Sequence, residues 1–199
     1  MRKGEATRER IIAAAAPIFN QHGYEGTSMQ ALMEATGLEK GGLYRHFSSK
    51  EDLAAEAFRF AIGQIRKVRT GDLEHISGAL PKLQYIIERF VEMPSPIPGG
   101  CPLMNTAVDS DDGNAVLRNL AARALRSWRN RLSMIVAEGI AAGEIRPEAD
   151  PCRIANVIIS TLEGALMLAR IERSRAPLAD ARITLEEWLD SLRPIPTKP

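Results

Sequence analysis

The spacing of apolar residues along the chain constrains its fold more than any other sequence feature. In almost every segment apolar side chains recur three and four residues apart, which is the period of an amphipathic helix. The first such segment places Ile11, Ile12, Ala15, Ile18 and Phe19 on one face. No run alternates between apolar and polar residues for long enough to indicate a strand. We therefore predict an all-α protein.

Helix caps, glycines and prolines mark where the predicted helices begin and end. The predicted helices span about residues 7–22, 28–36, 40–47, 50–70, 80–93, 103–108, 114–143, 151–173 and 180–192. Residues 94–100 are rich in proline and glycine and are predicted to form a loop. The pattern favours an N-terminal helical domain over residues 1–50, a connecting helix to about residue 70, and a second helical domain over residues 71–199.

The composition is that of an ordinary folded protein. Hydrophobic residues make up 45% of the chain and charged residues 26%, and no window holds about eighteen unbroken apolar residues. The N-terminus lacks the apolar core of a signal peptide, so we expect a cytoplasmic protein in which the two cysteines stay reduced. Residues 1–70 carry eleven Lys or Arg and eight Asp or Glu, a mild positive balance that is compatible with DNA binding.

Two short predicted helices joined by a glycine-containing turn, at residues 28–47, follow the longer first helix. This is the arrangement of a helix-turn-helix, in which the second short helix enters the major groove of DNA. That helix carries the polar-tipped residues Lys40, Tyr44, Arg45 and His46. Glycines 41 and 42 each cost roughly 1 kcal/mol relative to alanine inside a helix, which suggests that DNA approaches closely there.

The residues of this region also resemble a known family. The runs GYEGTSM at 23–29 and ATGLEKGGLYRHFSSKEDL at 35–53 are similar, in order and spacing, to the DNA-binding region of TetR (tetracycline repressor) proteins. The resemblance implies base or groove contacts from the recognition helix and phosphate contacts at helix N-termini. Together with the polar residues noted above, the candidate DNA-binding residues are Thr27, Ser28, Lys40, Gly41, Tyr44, Arg45, His46 and Lys50. Glu39 and Gly42 depart from residues common in the family, so the operator sequence does not follow from the resemblance.

The second domain is predicted to dimerise. As a helix, the segment 154–169 would be apolar on nearly every side, so it needs covering on two sides. One side fits the core of its own domain, and the other fits a symmetry mate, which gives a homodimer through helices 151–173 and 180–192. The alternative is a central helix buried in a monomer. A palindromic operator needs two reading heads, which favours the dimer.

The resemblance further implies a pocket for a small molecule in the second domain. The candidate ligand-binding residues are Met93, Cys101, Met104, Asn105, Trp128, Arg131, Met134 and Met167. Each of them also fits an ordinary core position. Residues 99–103 resemble a segment of LmrA/YxaF-like repressors. A thiol just before a helix, as at Cys101, could instead sense electrophiles or oxidants.

Catalytic and metal-binding motifs are missing from the sequence. The three histidines, His22, His46 and His75, have no metal-ligand spacing, and we predict neither an enzyme, a metal site nor a cofactor. The acidic residues 109, 111 and 112 are predicted to cap the long helix that follows. The resemblance to TetR proteins implies a repressor that leaves a palindromic operator when a small lipophilic ligand binds. The alternatives are a redox regulator acting through Cys101 and a non-enzymatic dimeric interaction protein.

Overall fold

The computed structural model describes residues 3–194, and within that range all regular secondary structure is helical. It contains nine α-helices and one short 3₁₀ turn at Leu73–His75. The helices are α1 Lys3–Gly26, α2 Met29–Thr36, α3 Lys40–Tyr44, α4 Lys50–Thr70, α5 Ala79–Glu92, α6 Pro102–Asp109, α7 Ala115–Ala141, α8 Pro151–Glu172 and α9 Ala176–Asp190. The predicted all-α class is therefore confirmed.

The bounds of α1, α3 and α9 differ most from the predicted ones. Helix α1 begins four residues before the predicted start at Thr7, and α9 begins four residues before Asp180 with a proline in its first turn. Proline is tolerated there because the first-turn N–H groups have no partner within the helix. Helix α3 ends at Tyr44 instead of continuing to Phe47, so Arg45 caps it and His46 lies in the turn that follows.

One compact unit combines the N-terminal helices with a later segment. It comprises the chain up to Arg66 together with Ser95–Leu125, which contains α6 and the first part of α7. Its core is formed by Ile11, Ile12, Ala15, Ala16, Leu32, Leu43, Phe47, Leu53 and Ala57. The compact units thus do not follow chain order. The division into functional domains at residues 1–50 and 71–199 stays a prediction.

The other compact unit comprises Lys67–Pro94 and the chain from Arg126 onward. In it α8 packs against α5 and α9, and the side chains of Ile158 and Leu162 on α8 are fully buried. By length and composition alone, α8 is apolar enough to cross a membrane. Its place in this core accounts for one of its apolar faces without a membrane.

Candidate DNA-binding site

Two buried residues, one within α3 and one just after it, fix which side chains of this helix face outward. Leu43 and Phe47 lie in the core of the first unit, and the guanidinium carbon of Arg8 lies 4.9 Å from the centroid of the Phe47 ring. Tyr44 is 44% exposed although it is a large aromatic residue, and Lys40 and Arg45 are also exposed. An exposed aromatic among cations, held on a rigid support, is suited to contacts with a DNA groove.

Two other helices present capped N-termini in the same unit. The Ser28 hydroxyl at the start of α2 accepts a hydrogen bond from the Ala31 N–H at 3.1 Å. At the start of α4, Ser49 Oγ accepts from the Asp52 N–H at 3.0 Å, and Asp52 Oδ2 accepts from the Ser48 N–H at 3.0 Å. The N–H groups left over in each first turn, and the positive end of the helix dipole, favour a phosphate.

Lys50, the first residue of α4, is held against an aromatic ring. Its Nζ lies 4.4 Å from the centroid of Tyr24, a cation–π contact that leaves the ammonium N–H donors available to a phosphate. Burial raises the pKa of the Tyr24 phenol, and the negative charges of Glu51 and Glu25 raise it further. Tyr24 therefore stays neutral around pH 7, as a ring that supports a cation should.

The remaining predicted DNA-binding residues differ in how well they fit that role. Ser28 is exposed, His46 is half-buried, and a Cβ added at Gly41 would meet no atom within 4 Å, so α3 leaves open space there. Thr27, by contrast, is 1% exposed and its hydroxyl donates to the Gly23 carbonyl at 2.6 Å. This burial argues against a phosphate contact by the Thr27 side chain.

The predicted ligand residues fall into two groups that belong to different compact units. Cys101, Met104 and Asn105 lie at the start of α6 in the first unit, and the other five residues lie in the second. Arg131, Met134 and Met167 are exposed in the single chain, which argues against their lining an enclosed pocket there. Trp128 is packed: its ring stacks on Phe90 with centroids 6.0 Å apart.

The first unit contains a polar network that the sequence patterns did not reveal. Asn20 Nδ2 donates to the Pro98 carbonyl at 2.7 Å, and Asn105 Nδ2 donates to Asn20 Oδ1 at 3.0 Å and to the Gly99 carbonyl at 2.8 Å. Asn105 is therefore a structural residue of this unit, and its predicted ligand contact would require breaking these bonds. The only sequence signal was an asparagine on the apolar face of α1.

The acidic residues 109, 111 and 112 do not supply the cap of α7 that was predicted from the sequence. The residue that caps α7 is Asn114, whose Oδ1 accepts from the Leu117 N–H at 2.9 Å. Asp109 instead accepts a hydrogen bond from the Tyr24 N–H at 2.8 Å. Among residues 3–194, no group of three or more His, Cys, Asp or Glu side chains could hold a metal ion.

Comparisons with known proteins agree with this geometry. Residues 11–57 match the family model "Bacterial regulatory proteins, tetR family", and residues 79–185 match "Tetracyclin repressor-like, C-terminal domain". A TetR transcriptional regulator of Chloroflexus aurantiacus has a similar structure, with a TM-score of 0.90 and 45% identity, covering 95% of this chain and 96% of that one.

Curated relatives carry matching names. The chain is 26% identical to the HTH-type transcriptional repressor DhaR of a Mycobacterium species over 172 residues, which cover 86% of each chain. It is also 26% identical to the HTH-type transcriptional regulator YxaF of Bacillus subtilis, over 86% of this chain and 89% of YxaF. These relatives are transcription regulators. The two family models, the solved structure and the helix-turn-helix of α2 and α3 together show that the chain belongs to the TetR family of DNA-binding transcription regulators.

Proposed function

We propose that this chain is a repressor that binds a palindromic operator as a homodimer and releases it when a small lipophilic molecule binds. The observation that carries the DNA part is the exposed group Lys40, Tyr44 and Arg45, supported from beneath by buried Leu43 and Phe47. The N-termini of α2 and α4, with Ser28 and Lys50, supply phosphate contacts beside it. A regulator of this kind acts in the cytoplasm, where the chromosome lies.

A binding experiment tests the DNA part directly. Wild-type protein is used to select duplexes from a randomised-sequence library, and fluorescence anisotropy then measures affinity for the selected duplex at several salt concentrations. Tyr44→Ala and Arg45→Ala should each weaken binding by about 1–3 kcal/mol, as loss of a groove contact does. Arg146→Ala is the matched control, since Arg146 is also an exposed arginine but lies in the other unit. Equal losses for Arg45→Ala and Arg146→Ala would contradict the assignment.

The dimer part rests on apolar side chains left uncovered on α8 and α9. Leu168 and Ile171 on α8 and Ile183 on α9 are exposed, and a Cβ added at Gly164 would meet no atom within 4 Å. The buried side of α8 is already occupied by its own core, so this second apolar side is available for the same helices of another copy. In the proposed dimer the two α3 helices would enter successive major grooves of DNA, whose centres are roughly 34–36 Å apart.

Two equally exposed apolar residues make a matched test of the dimer. Ile171 on α8 is 74% exposed and Val108 on α6 is 75% exposed. We expect Ile171→Glu to convert the dimer to a monomer in sedimentation velocity, because a carboxylate would be desolvated in the interface. Val108→Glu should leave the dimer intact. A dimer that survives Ile171→Glu, or a wild-type monomer at micromolar concentration, would refute the α8–α9 interface.

Release of DNA by a ligand is the third part of the proposed function. It is supported by the packing of Trp128: its ring stacks on Phe90, and the guanidinium carbon of Arg69, near the end of α4, lies 3.8 Å from the Phe90 centroid. A ligand that displaces Trp128 would therefore disturb the residues that hold the end of α4. A thermal-shift screen with lipophilic compounds should find stabilising ligands, and those ligands should lower the anisotropy of bound DNA. Stabilising ligands that never release DNA would contradict this part.

Burial weakens the redox alternative. Cys101 is 2% exposed, which gives an electrophile no open path to its sulfur. Cys152 is exposed at the first turn of α8, and its Sγ lies 3.9 Å from Ser133 Oγ. We therefore do not propose electrophile sensing through Cys101.

A further inference from the structure

Polar side chains of α6 and of the turn before α7 bind the two helices that flank α2 and α3. We call residues 102–117, which comprise α6, the following turn and the start of α7, the elbow. Asn105 bonds to Asn20 of α1, as described above. Asp109 accepts from the Tyr24 N–H of α1 at 2.8 Å, and Asn114 Nδ2 donates to Glu51 Oε2 of α4 at 2.6 Å. All of these residues lie in the first compact unit.

The contact between Asp109 and α1 is closely fitted. Gly23 has φ +71° and ψ 176°, a conformation that is essentially restricted to glycine, and this turn directs the Tyr24 N–H at the carboxylate. A Cβ added at Gly23 would overlap the Asp109 carboxylate. The ring of Tyr24 in turn stacks on Phe19, with centroids 6.4 Å apart, and supports the Lys50 ammonium. Asp109 thus fixes the residue on which Lys50 rests.

Asn114 acts on the same turn of α4 from the other direction. Both ends of its amide are used, because Oδ1 caps α7 and Nδ2 bonds to Glu51. Glu51 is the neighbour of Lys50 in the first turn of α4. The elbow therefore reaches the first turn of α4 in two ways: Asp109 acts on Lys50 through Tyr24, and Asn114 binds Glu51 directly. The capped N-terminus and the Lys50 ammonium form the expected phosphate site there.

We infer that the elbow is a positioning element for the phosphate contact of Lys50, with Asp109 and Asn114 as the positioning residues. Neither residue needs to touch DNA. A long lysine side chain loses conformational freedom when it binds a phosphate, and a side chain that is already held in place loses less. The inference rests on the proposed DNA binding and adds that affinity depends on residues far from α3 in the sequence.

The direction in which Asp109→Ala changes DNA affinity distinguishes a positioning role from simple electrostatic repulsion. Removing an acidic residue from a DNA-binding protein should strengthen binding to a polyanion. We expect Asp109→Ala to weaken binding to the library-selected duplex instead, by about fivefold, as changes remote from the ligand can do. Asp111→Ala, which removes the same charge two residues away at an exposed position, should leave affinity unchanged or raise it.

The salt dependence and a double mutant connect this loss to Lys50. Loss of one phosphate contact lowers the slope of log affinity against log salt by about 1, whereas a general loss of folded protein leaves that slope unchanged. Asp109→Ala and Lys50→Ala should each lower the slope, and Asp109→Ala should have no further effect in the Lys50→Ala background. Unchanged affinity and slope in Asp109→Ala, or full additivity with Lys50→Ala, would overturn the inference.

A second variant keeps the test valid if Asp109→Ala does not fold. Asn114→Asp retains an oxygen to cap α7 but loses the donor to Glu51, and Asn119→Asp at an exposed position of α7 adds the same charge elsewhere. We expect the lower slope in Asn114→Asp only, and the same slope in both variants would overturn the inference. If the wild-type protein selects no duplex, both the proposed function and the role of the elbow are overturned. If the wild type binds DNA and the elbow variants bind it with the same affinity and salt slope, only the role of the elbow is overturned.

Discussion

Replacement of Gly23 by alanine tests the junction between α1 and α6 most directly. Gly23 is the one residue within α1 whose backbone leaves helical angles, with φ +71° and ψ 176°. An alanine there would be strained in its backbone, and its Cβ would overlap the carboxylate of Asp109. We expect Gly23→Ala to destabilise the folded chain far more than an ordinary glycine-to-alanine change.

The size of this effect follows from two separate contributions. Holding a residue with a Cβ in this backbone region costs about 1–3 kcal/mol. Relief of the overlap requires the Asp109 carboxylate to move, which breaks its hydrogen bond with the Tyr24 N–H and costs about 1.5–3 kcal/mol for a charged acceptor. Together these give about 2.5–6 kcal/mol, a large share of the roughly 5–15 kcal/mol by which native domains are stable.

Urea unfolding followed by circular dichroism, at one fixed protein concentration, measures the effect. Gly26→Ala is the matched control, because its Cβ would meet only His22 Cβ at an ordinary 3.8 Å, and we expect a change within about 1 kcal/mol. In an Asp109→Ala background the Gly23→Ala cost should fall to the backbone part, about 1–3 kcal/mol. A Gly23→Ala protein as stable as Gly26→Ala would refute the reasoning.

Three other substitutions probe the core, the polar network and the pH dependence. Asn20→Ala should cost about 2–3 kcal/mol because it leaves buried polar partners unpaired, while Gln21→Ala at the exposed next position should be near neutral in the same unfolding assay. Leu132→Ala should cost about 2–5 kcal/mol because Leu132 is fully buried, whereas a similar cost for the exposed Leu125→Ala would show that burial is not the cause. Burial and the hydrogen bond that Tyr85 donates to Asp72 raise the pKa of the Tyr85 phenol in the folded state. The protonated phenol therefore contributes to the free energy of unfolding at neutral pH, and this contribution is lost as the pH rises through the folded-state pKa. The stability advantage of wild type over Tyr85→Phe should therefore shrink from about pH 9 to about pH 11, and a constant or growing advantage would contradict it.

The sequence by itself determined the helices, the helix-turn-helix and the outward side chains of α3. These features depend on signals within one or two helical turns: apolar residues three and four apart, a serine cap at Ser28 or Ser49, and an aspartate followed by proline at Asp150. The Asp150 cap, for example, accepts from the Cys152 and Arg153 N–H groups as such a pair predicts. Local hydrogen bonding and burial of one helix face suffice to specify them.

The tertiary structure alone decided which residues hold the DNA-binding helices in place. Tyr24 and Asp109 are 85 residues apart in the chain, and Asn20 and Asn105 are equally far apart, so no local period or spacing connects them. The burial of Thr27 likewise depends on how the chain turns at Gly23. A hydrogen bond forms only within about 3 Å, and such a distance between remote residues depends on the path of the whole backbone between them. That path is a property of the packed core and cannot be obtained from any single segment.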